Sequence, residues 1–241
     1  MKSTGQSTTS NWGSGVQYVS PNANSHMGNP VDGRVYPARD PSFFCDGSNP
    51  VTRAGTTPVS ALGDARIALG VVQRALVVNC AWGSSNSTQW ADPNGQLFKS
   101  FLVAWNFLLA HGWSPSQIKH LHSQGEADAA VGTSQATMTA NINAIASNKN
   151  VLGITAPMWV SRCTFPYGGW DTTNPNSAFW TPGAVAIGIR NAQLAVVNGS
   201  TIRQGFDTDT IRGSSGRGTG AHWAAQSEII AVANGQAALM V

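Results

Sequence analysis

Apolar positions along this chain recur in two alternating ways, at helical spacing and in short unbroken runs. Between residues 96 and 111, Leu97, Phe101, Trp105 and Leu108 return every three or four positions, which predicts an amphipathic helix that Gly112 can end. Further helices are predicted at 59–69, at 134–146, from Thr181-Pro182 to Gly199, and at 223–233. Thr181 offers a capping hydroxyl and Pro182 a first-turn proline. Apolar runs at 75–80, 117–123, 151–163 and 201–206 read as buried strands. The stretch 7–57 is dense in Gly, Pro, Asn and Ser without period, and reads as a long loop-rich segment over one face. Strand and helix alternate with no internal repeat. That pattern predicts an α/β protein, a three-layer α/β/α sandwich on a doubly wound parallel sheet, built as one domain over 1–241.

The length of 241 residues suits one sizeable domain that buries its core without staples. The net charge is +3, but only 10% of residues are charged and there are no Lys/Arg runs. The basic balance therefore reflects scarce charge, and it argues against nucleic acid as the main partner. Cys80 and Cys163 sit in apolar runs as buried small hydrophobes, whereas Cys45 lies in a loop and could pair with either or stay unpaired. The first ten residues hold no apolar stretch of signal-peptide length, and the longest apolar region, 101–110, is too short to span a bilayer. The expectation is a soluble protein with no membrane partner; a secreted domain whose leader has been removed would look the same, so the compartment stays open.

Candidate chemistry lies at three places. Gly5-Gln6-Ser7 offers a nucleophile, Gln124-Gly125-Glu126-Ala127-Asp128 a polar cluster, and His222 a late base. A serine hydroxyl needs an imidazole within hydrogen-bond reach to take its proton. The oxyanion that develops needs donors already aimed at it, for which Ser7, Gly83 and Gln124 are candidates. Ser7, Gly83, Gln124, Asp209 and His222 all follow predicted strands. In doubly wound sheets ligands gather outside the carboxyl ends of the strands, so these five residues can converge.

Other polar and aromatic signals have plainer readings. His120 and His122 share one face of a strand with Gln124. A metal site would need a third protein ligand, and none is suggested nearby, so no metal is expected. The Gly-rich stretch 213–220 lacks the ending of a phosphate-binding loop and reads as the loop that delivers His222. Of nine tryptophans, Trp105 and Trp159 read as core and Trp12 and Trp90 as a platform for sugar rings.

The motifs resemble those of the SGNH (GDSL-like) hydrolases, and within them the acetylesterase branch that includes sialate O-acetylesterases and carbohydrate esterase family six. Gly5-Gln6-Ser7 matches the nucleophile turn, Ala81-Trp82-Gly83-Ser84-Ser85 with Trp90 resembles the second block, and Gln124 to Asp128 matches the third and most specific one. Further similarity runs through Tyr36-Pro37-Ala38-Arg39-Asp40-Pro41, Ile189-Arg190-Asn191-Ala192-Gln193 and Asp207-Thr208-Asp209, so it spans almost the whole chain. The resemblance implies an acyl-enzyme on Ser7 with His222 as base, no cofactor, Gln124 facing the substrate and Glu126 bracing the pocket.

Two departures from the family pattern stand out. Thr219 occupies the slot, three residues before His222, where the family has an aspartate. Loss of the orienting aspartate costs a serine protease about 10⁴-fold in turnover. Asp209 is the candidate replacement with Asp207 behind it, while the plainer reading is a strand-end turn that caps backbone N–H groups. The second departure is that only Met1-Lys2-Ser3-Thr4 precedes the nucleophile turn, where the family has a hydrophobic strand. The first strand is therefore expected to be truncated or supplied by another segment, with the apolar tail 237–241 as one possibility. The functional expectation is a serine esterase removing short acyl groups, acetyl first, from carbohydrate. The alternatives are a catalytically idle glycan-binding module of the same fold and an esterase for lipid or thioester substrates.

Overall fold

The structure, a computed structural model, describes residues 1–5, 17–45, 55–164, 183–211 and 226–241. In chain order its elements are β1 (Lys2–Gly5), β2 (Ser25–Asn29), β3 (Arg34–Pro37), α1 (Pro58–Ala68), β4 (Ala75–Asn79), α2 (Ser87–Ala91), α3 (Gln96–Ala110), β5 (His120–Ser123), α4 (Glu126–Ala130), α5 (Gln135–Val151), β6 (Met158–Arg162), α6 (Ala184–Ala195), β7 (Ile202–Asp207), a 3-10 turn at Thr208–Thr210, and α7 (Gln226–Leu239). Seven strands form one sheet in the order β3-β2-β4-β1-β5-β6-β7. All pairings are parallel except that of β3 with β2. Without the β2–β3 hairpin the order reads 2-1-3-4-5, the doubly wound arrangement whose switch point lies between β1 and β5.

Side-chain alternation along the strands divides the core between the two faces. Val77, Leu121 and Trp159 point to one face and pack under α1 and α7 with Val59, Leu62, Ile229 and Val232. Leu76, Val78 and Cys80 point the other way onto Phe98, Phe101, Ala104 and Leu108 of α3. Met158, Val160 and Ile202 meet Ile142 and Ile145 of α5 and Ile189 of α6 on that same face. The result is the three-layer α/β/α sandwich.

The first strand, expected to be truncated or replaced, is formed by Lys2–Gly5 itself. Though only four residues long, it is central: Lys2 and Ser3 pair with Val78 and Asn79, while Lys2 to Gly5 pair with His120 to Ser123. No other segment fills the gap, and the tail proposed for it is helical: α7 runs through to Leu239, with Ala237 and Met240 buried against α1 and the sheet. On this strand, buried on both faces, the Thr4 hydroxyl lies between two histidine rings and Lys2 Nζ sits over the Phe101 ring, while Ser3 Oγ is buried without a hydrogen-bond partner.

Other boundaries move for tertiary reasons. The stretch 7–57, expected as loop, contains the β2–β3 hairpin, in which the Phe107 ring leaves room only for a glycine at 28, since it lies 2.3 Å from where a Cβ would stand. The helix expected at 134–146 extends as α5 to Val151, held by Lys149 Nζ donating to the Ala156 carbonyl (2.7 Å) and Asn148 to that of Ala91 (2.8 Å). The strand expected across 151–163 begins only at Met158. The helix expected to stop at 233 continues through Asn234-Gly235, because Gly235 lies against the Phe206 ring (2.4 Å from its ideal Cβ). Thr181, Pro182 and Trp223 lie outside the described residues, as do Trp12 and Trp170.

Candidate active site

The carboxyl ends of β1, β4 and β5 are hydrogen-bonded to one another. After β4 the chain turns through Ala81-Trp82-Gly83-Ser84-Ser85, and Trp82 N–H donates to the Gly5 carbonyl at the end of β1 (2.9 Å). Ser85 Oγ lies 2.7 Å from the Trp82 carbonyl and 3.3 Å from that of Gly5, and it accepts from Trp90 Nε1 at 2.9 Å. Gly83 is buried within this turn and Ser84 takes a left-handed φ of 58°. Trp90, expected as a sugar platform, is only 2% exposed and braces the turn from beneath. Trp82, in the same turn, is 50% exposed.

The third motif is fastened to the second. Gln124 is fully buried; its Nε2 donates to the Ser85 carbonyl (2.6 Å) and to Asp128 Oδ2 (2.9 Å). Both amide hydrogens are therefore engaged inside the protein, and the side chain expected to face the substrate instead ties β5 to the β4 turn. Asp128 also accepts from the Ser87 backbone N–H, the Ser87 hydroxyl (2.6 Å) and the Thr133 hydroxyl (3.2 Å), holding the start of α2. Asp128 is thus an anchor that ties the third motif to the start of α2. Gly125 has no room for a side chain, since an ideal Cβ there would stand 1.8 Å from the Cys163 carbonyl oxygen.

Helix α6 locks this cluster to the ends of β6 and β7. Gln193 Nε2 donates to the Gln124 carbonyl (2.8 Å) and its Oε1 accepts from Cys163 N–H (3.3 Å). One turn earlier, Arg190 pairs with Asp207 (2.7 Å) and with Asp209. Burial would lower the Arg190 pKa, but the two carboxylates outweigh it and raise the pKa. Asp209 is buried and also accepts from Thr164 N–H (3.0 Å) and the Thr164 hydroxyl (2.8 Å). Glu126 is buried as well, beside Cys163. The Cys163 thiol is pushed well up by its burial and then by Glu126 and Asp209, which puts all three in one neighbourhood. A continuous path of hydrogen bonds thus runs from Gly5 through Ser85, Gln124 and Gln193 to the end of β6, and through Thr164 to Asp209.

Beneath the turns, the Thr4 hydroxyl lies 2.7 Å from His120 Nε2 and 2.8 Å from His122 Nδ1. Burial, followed by the charge of Lys149, lowers the His122 pKa to about 3, and His120 is held well below its usual value by burial, Lys149 and Lys2. Both rings are neutral interior groups. Among the described residues no three His, Cys, Asp or Glu side chains are grouped to hold a metal. Cys45, Cys80 and Cys163 are all buried and none is in a disulfide. No described helix is long and apolar enough to cross a membrane.

Of the sequence-predicted site, Gly83 and Gln124 come together through Ser85 and Gly5, and Glu126 and Asp209 through Cys163. Ser7, Thr219 and His222 lie outside the described residues. Sequence reasoning missed the anchoring parts of Ser85, Asp128 and Thr164. The signal for Arg190 and Gln193 was present, since polar residues three apart on a helix share a face.

The fold is a doubly wound α/β/α sandwich whose motif-bearing loops meet beside the switch point. No protein-family model and no curated protein matches the sequence. Solved structures do match in fold. A protein of Arabidopsis thaliana is similar with a TM-score of 0.72 and 17% identity, over 98% of this chain and 96% of that one. NanS is similar with a TM-score of 0.60 and 12% identity, over 99% of this chain and 96% of its own. A carbohydrate acetylesterase from Xanthomonas citri is similar with a TM-score of 0.55 and 14% identity, over 98% of this chain and 54% of that one.

Proposed function

We propose that the protein is a serine esterase of the SGNH (GDSL-like) kind, acting as one domain, that removes acetyl or another short acyl group from carbohydrate. The observation that carries this reading is the joining of the β1, β4 and β5 ends, in which Gly5, the turn around Gly83 and Gln124 are tied together beside the switch point. Ser7 follows Gly5 by two residues, so covalent geometry keeps its Cα within about 7 Å of that junction. The fold shared with a carbohydrate acetylesterase supports the substrate class.

In the proposed reaction Ser7 Oγ attacks the ester carbonyl carbon while His222 takes its proton. The oxyanion accepts hydrogen bonds from the N–H groups of Ser7 and Gly83. Collapse of the intermediate expels the sugar alkoxide, which receives the proton from His222, and a water repeats the sequence to release the acid. Asp209 orients His222 from a carboxylate that Arg190 and Thr164 hold still. Gln124 and Glu126 brace the oxyanion turn from within, a role that suits the engaged amide of Gln124.

Ser7→Ala is expected to abolish p-nitrophenyl acetate hydrolysis while leaving the circular dichroism spectrum and unfolding midpoint unchanged, and a fluorophosphonate probe is expected to label wild type at Ser7. Unchanged turnover in the variant sinks the assignment. A folded wild-type protein that neither hydrolyses nor labels would instead favour a glycan-binding module of the same fold, in keeping with Thr219 in the carboxylate slot.

A further inference from the structure

Between the sheet and the α1/α7 layer, at the level of the last residues of β5 and β6, the protein encloses a cavity of about 20 Å³. Side-chain alternation turns Leu121 and Ser123 of β5 and Ser161 of β6 to this face, the one on which Trp159 packs. Val59 and Leu62 of α1 and Val232 of α7 form its apolar wall, and Ser123, Ser161 and Gln236 lie on its polar side. All the residues that line it are buried, so it is closed to bulk solvent.

Gln236 is 2% exposed. Its Oε1 accepts from the Phe206 N–H (2.8 Å) and from the Ser161 hydroxyl (3.2 Å), which fixes the orientation of the amide. That leaves Nε2 buried with no hydrogen-bond partner among the described residues. The two serines show the converse arrangement. Ser161 gives its hydrogen to Gln236, and Ser123 turns its own towards Cys163 Sγ (3.8 Å). Each hydroxyl oxygen then faces its surroundings as an acceptor. The cavity is therefore bounded by an amide that has to donate and by two oxygens that have to accept.

We propose that this cavity is a binding site for one water molecule, which accepts from Gln236 Nε2 and donates to the hydroxyl oxygens of Ser123 and Ser161. Size and polarity both select it. A water needs about 10–15 Å³ of such space, so the volume admits one and excludes an acyl group or a sugar. A cation would be repelled by the amide hydrogens, and an anion would find a donor on one side only. Water donates and accepts at once, and it relieves the cost of a buried amide left unpaired. The bridge joins α7 to β5 and β6, and it does not depend on chemistry at Ser7.

A high-resolution crystal structure of the intact chain, together with magnetic relaxation dispersion of the water oxygen in solution, tests this. A single ordered water is expected within hydrogen-bond distance of Gln236 Nε2 and of the Ser123 or Ser161 hydroxyl oxygen. In solution, wild type is expected to hold one more long-lived water than Val232→Ile, whose added methyl group takes up the space, and Ser7→Ala is expected to match wild type. Ala233→Val fills the cavity from the neighbouring position and is expected to show the same loss, so the comparison stands if one filling variant does not fold. The proposal is overturned if wild type shows no water at Gln236 Nε2, if crystals under pressure take up xenon there, which marks a dry apolar space, or if a folded filling variant retains every long-lived water of wild type.

Discussion

A single hydrogen in place of a methyl decides the geometry at Gly125, where the Cys163 carbonyl oxygen occupies the space a Cβ would need. Because the obstacle is backbone, Gly125→Ala has to part β5 from β6 or twist the motif turn. It is expected to cost about 2–4 kcal/mol of stability, read as a lower urea midpoint; a midpoint within error of wild type would contradict this packing. Gly235 is hemmed in by the Phe206 ring instead, a half-buried side chain that can give way, so Gly235→Ala should cost less. Individual residues also show what local pattern could not reveal. Trp90 and Gln124 carry the right chemistry to face a ligand, yet both are buried with their polar atoms engaged inside. Chemistry is visible in a sequence, whereas the direction in which a side chain points after a turn is set by what fills the space around it.

Among the elements, α3 was the most legible, predicted over 96–111 and observed over Gln96–Ala110. Its buried face repeats at helical spacing for four turns, and Gly112 ends it. The short helices α2 and α4 passed unread, because five residues are too few to show a period. They exist through tertiary anchoring: Asp128 in α4 receives four donors from Ser87, Thr133 and Gln124. Asp128→Asn replaces one acceptor oxygen by an amide that confronts those donors. The expected cost is about 3 kcal/mol, and, on the proposed function, a drop in ester turnover because Gln124 and the Ser85 turn lose their tie. Wild-type stability and turnover in that variant would remove the anchoring role. The β2–β3 hairpin escaped notice for the opposite reason, since Gly28 serves the Phe107 contact and spoils the strand signature.

For the whole molecule, the buried polar layer under the sheet makes stability depend on pH. His120 and His122 have native pKa values below the unfolded value of about 6.5. The unfolded chain therefore binds more protons as pH falls below 6.5, and stability that is intact above that pH is lost on the way towards about 3. Each histidine contributes up to about 1.4 kcal/mol per pH unit. Asp40 acts in the opposite sense, because burial raises its carboxyl to about 6 despite hydrogen bonds from Ser60, Tyr18 and Thr57, so the native state retains a proton the unfolded chain has lost. Two histidines outweigh one aspartate, and the unfolding midpoint is expected to fall between pH 7 and pH 4.5. His122→Asn should flatten that slope, and a midpoint constant over this range in wild type would refute the reading.

By itself the sequence determined the layer architecture and the order of its motifs, because burial of one face imposes periods of two and 3.6 that can be read locally. It also pointed to the residue types at the candidate site. The tertiary structure decided which strand lies at the centre, that a four-residue polar segment can serve there, and which of the motif side chains turn inward. Those outcomes depend on partners distant in the chain, such as Thr4 with His120 and His122, or Gln193 with Gln124. A contact between remote segments leaves no period in either of them, so only their meeting in space reveals it.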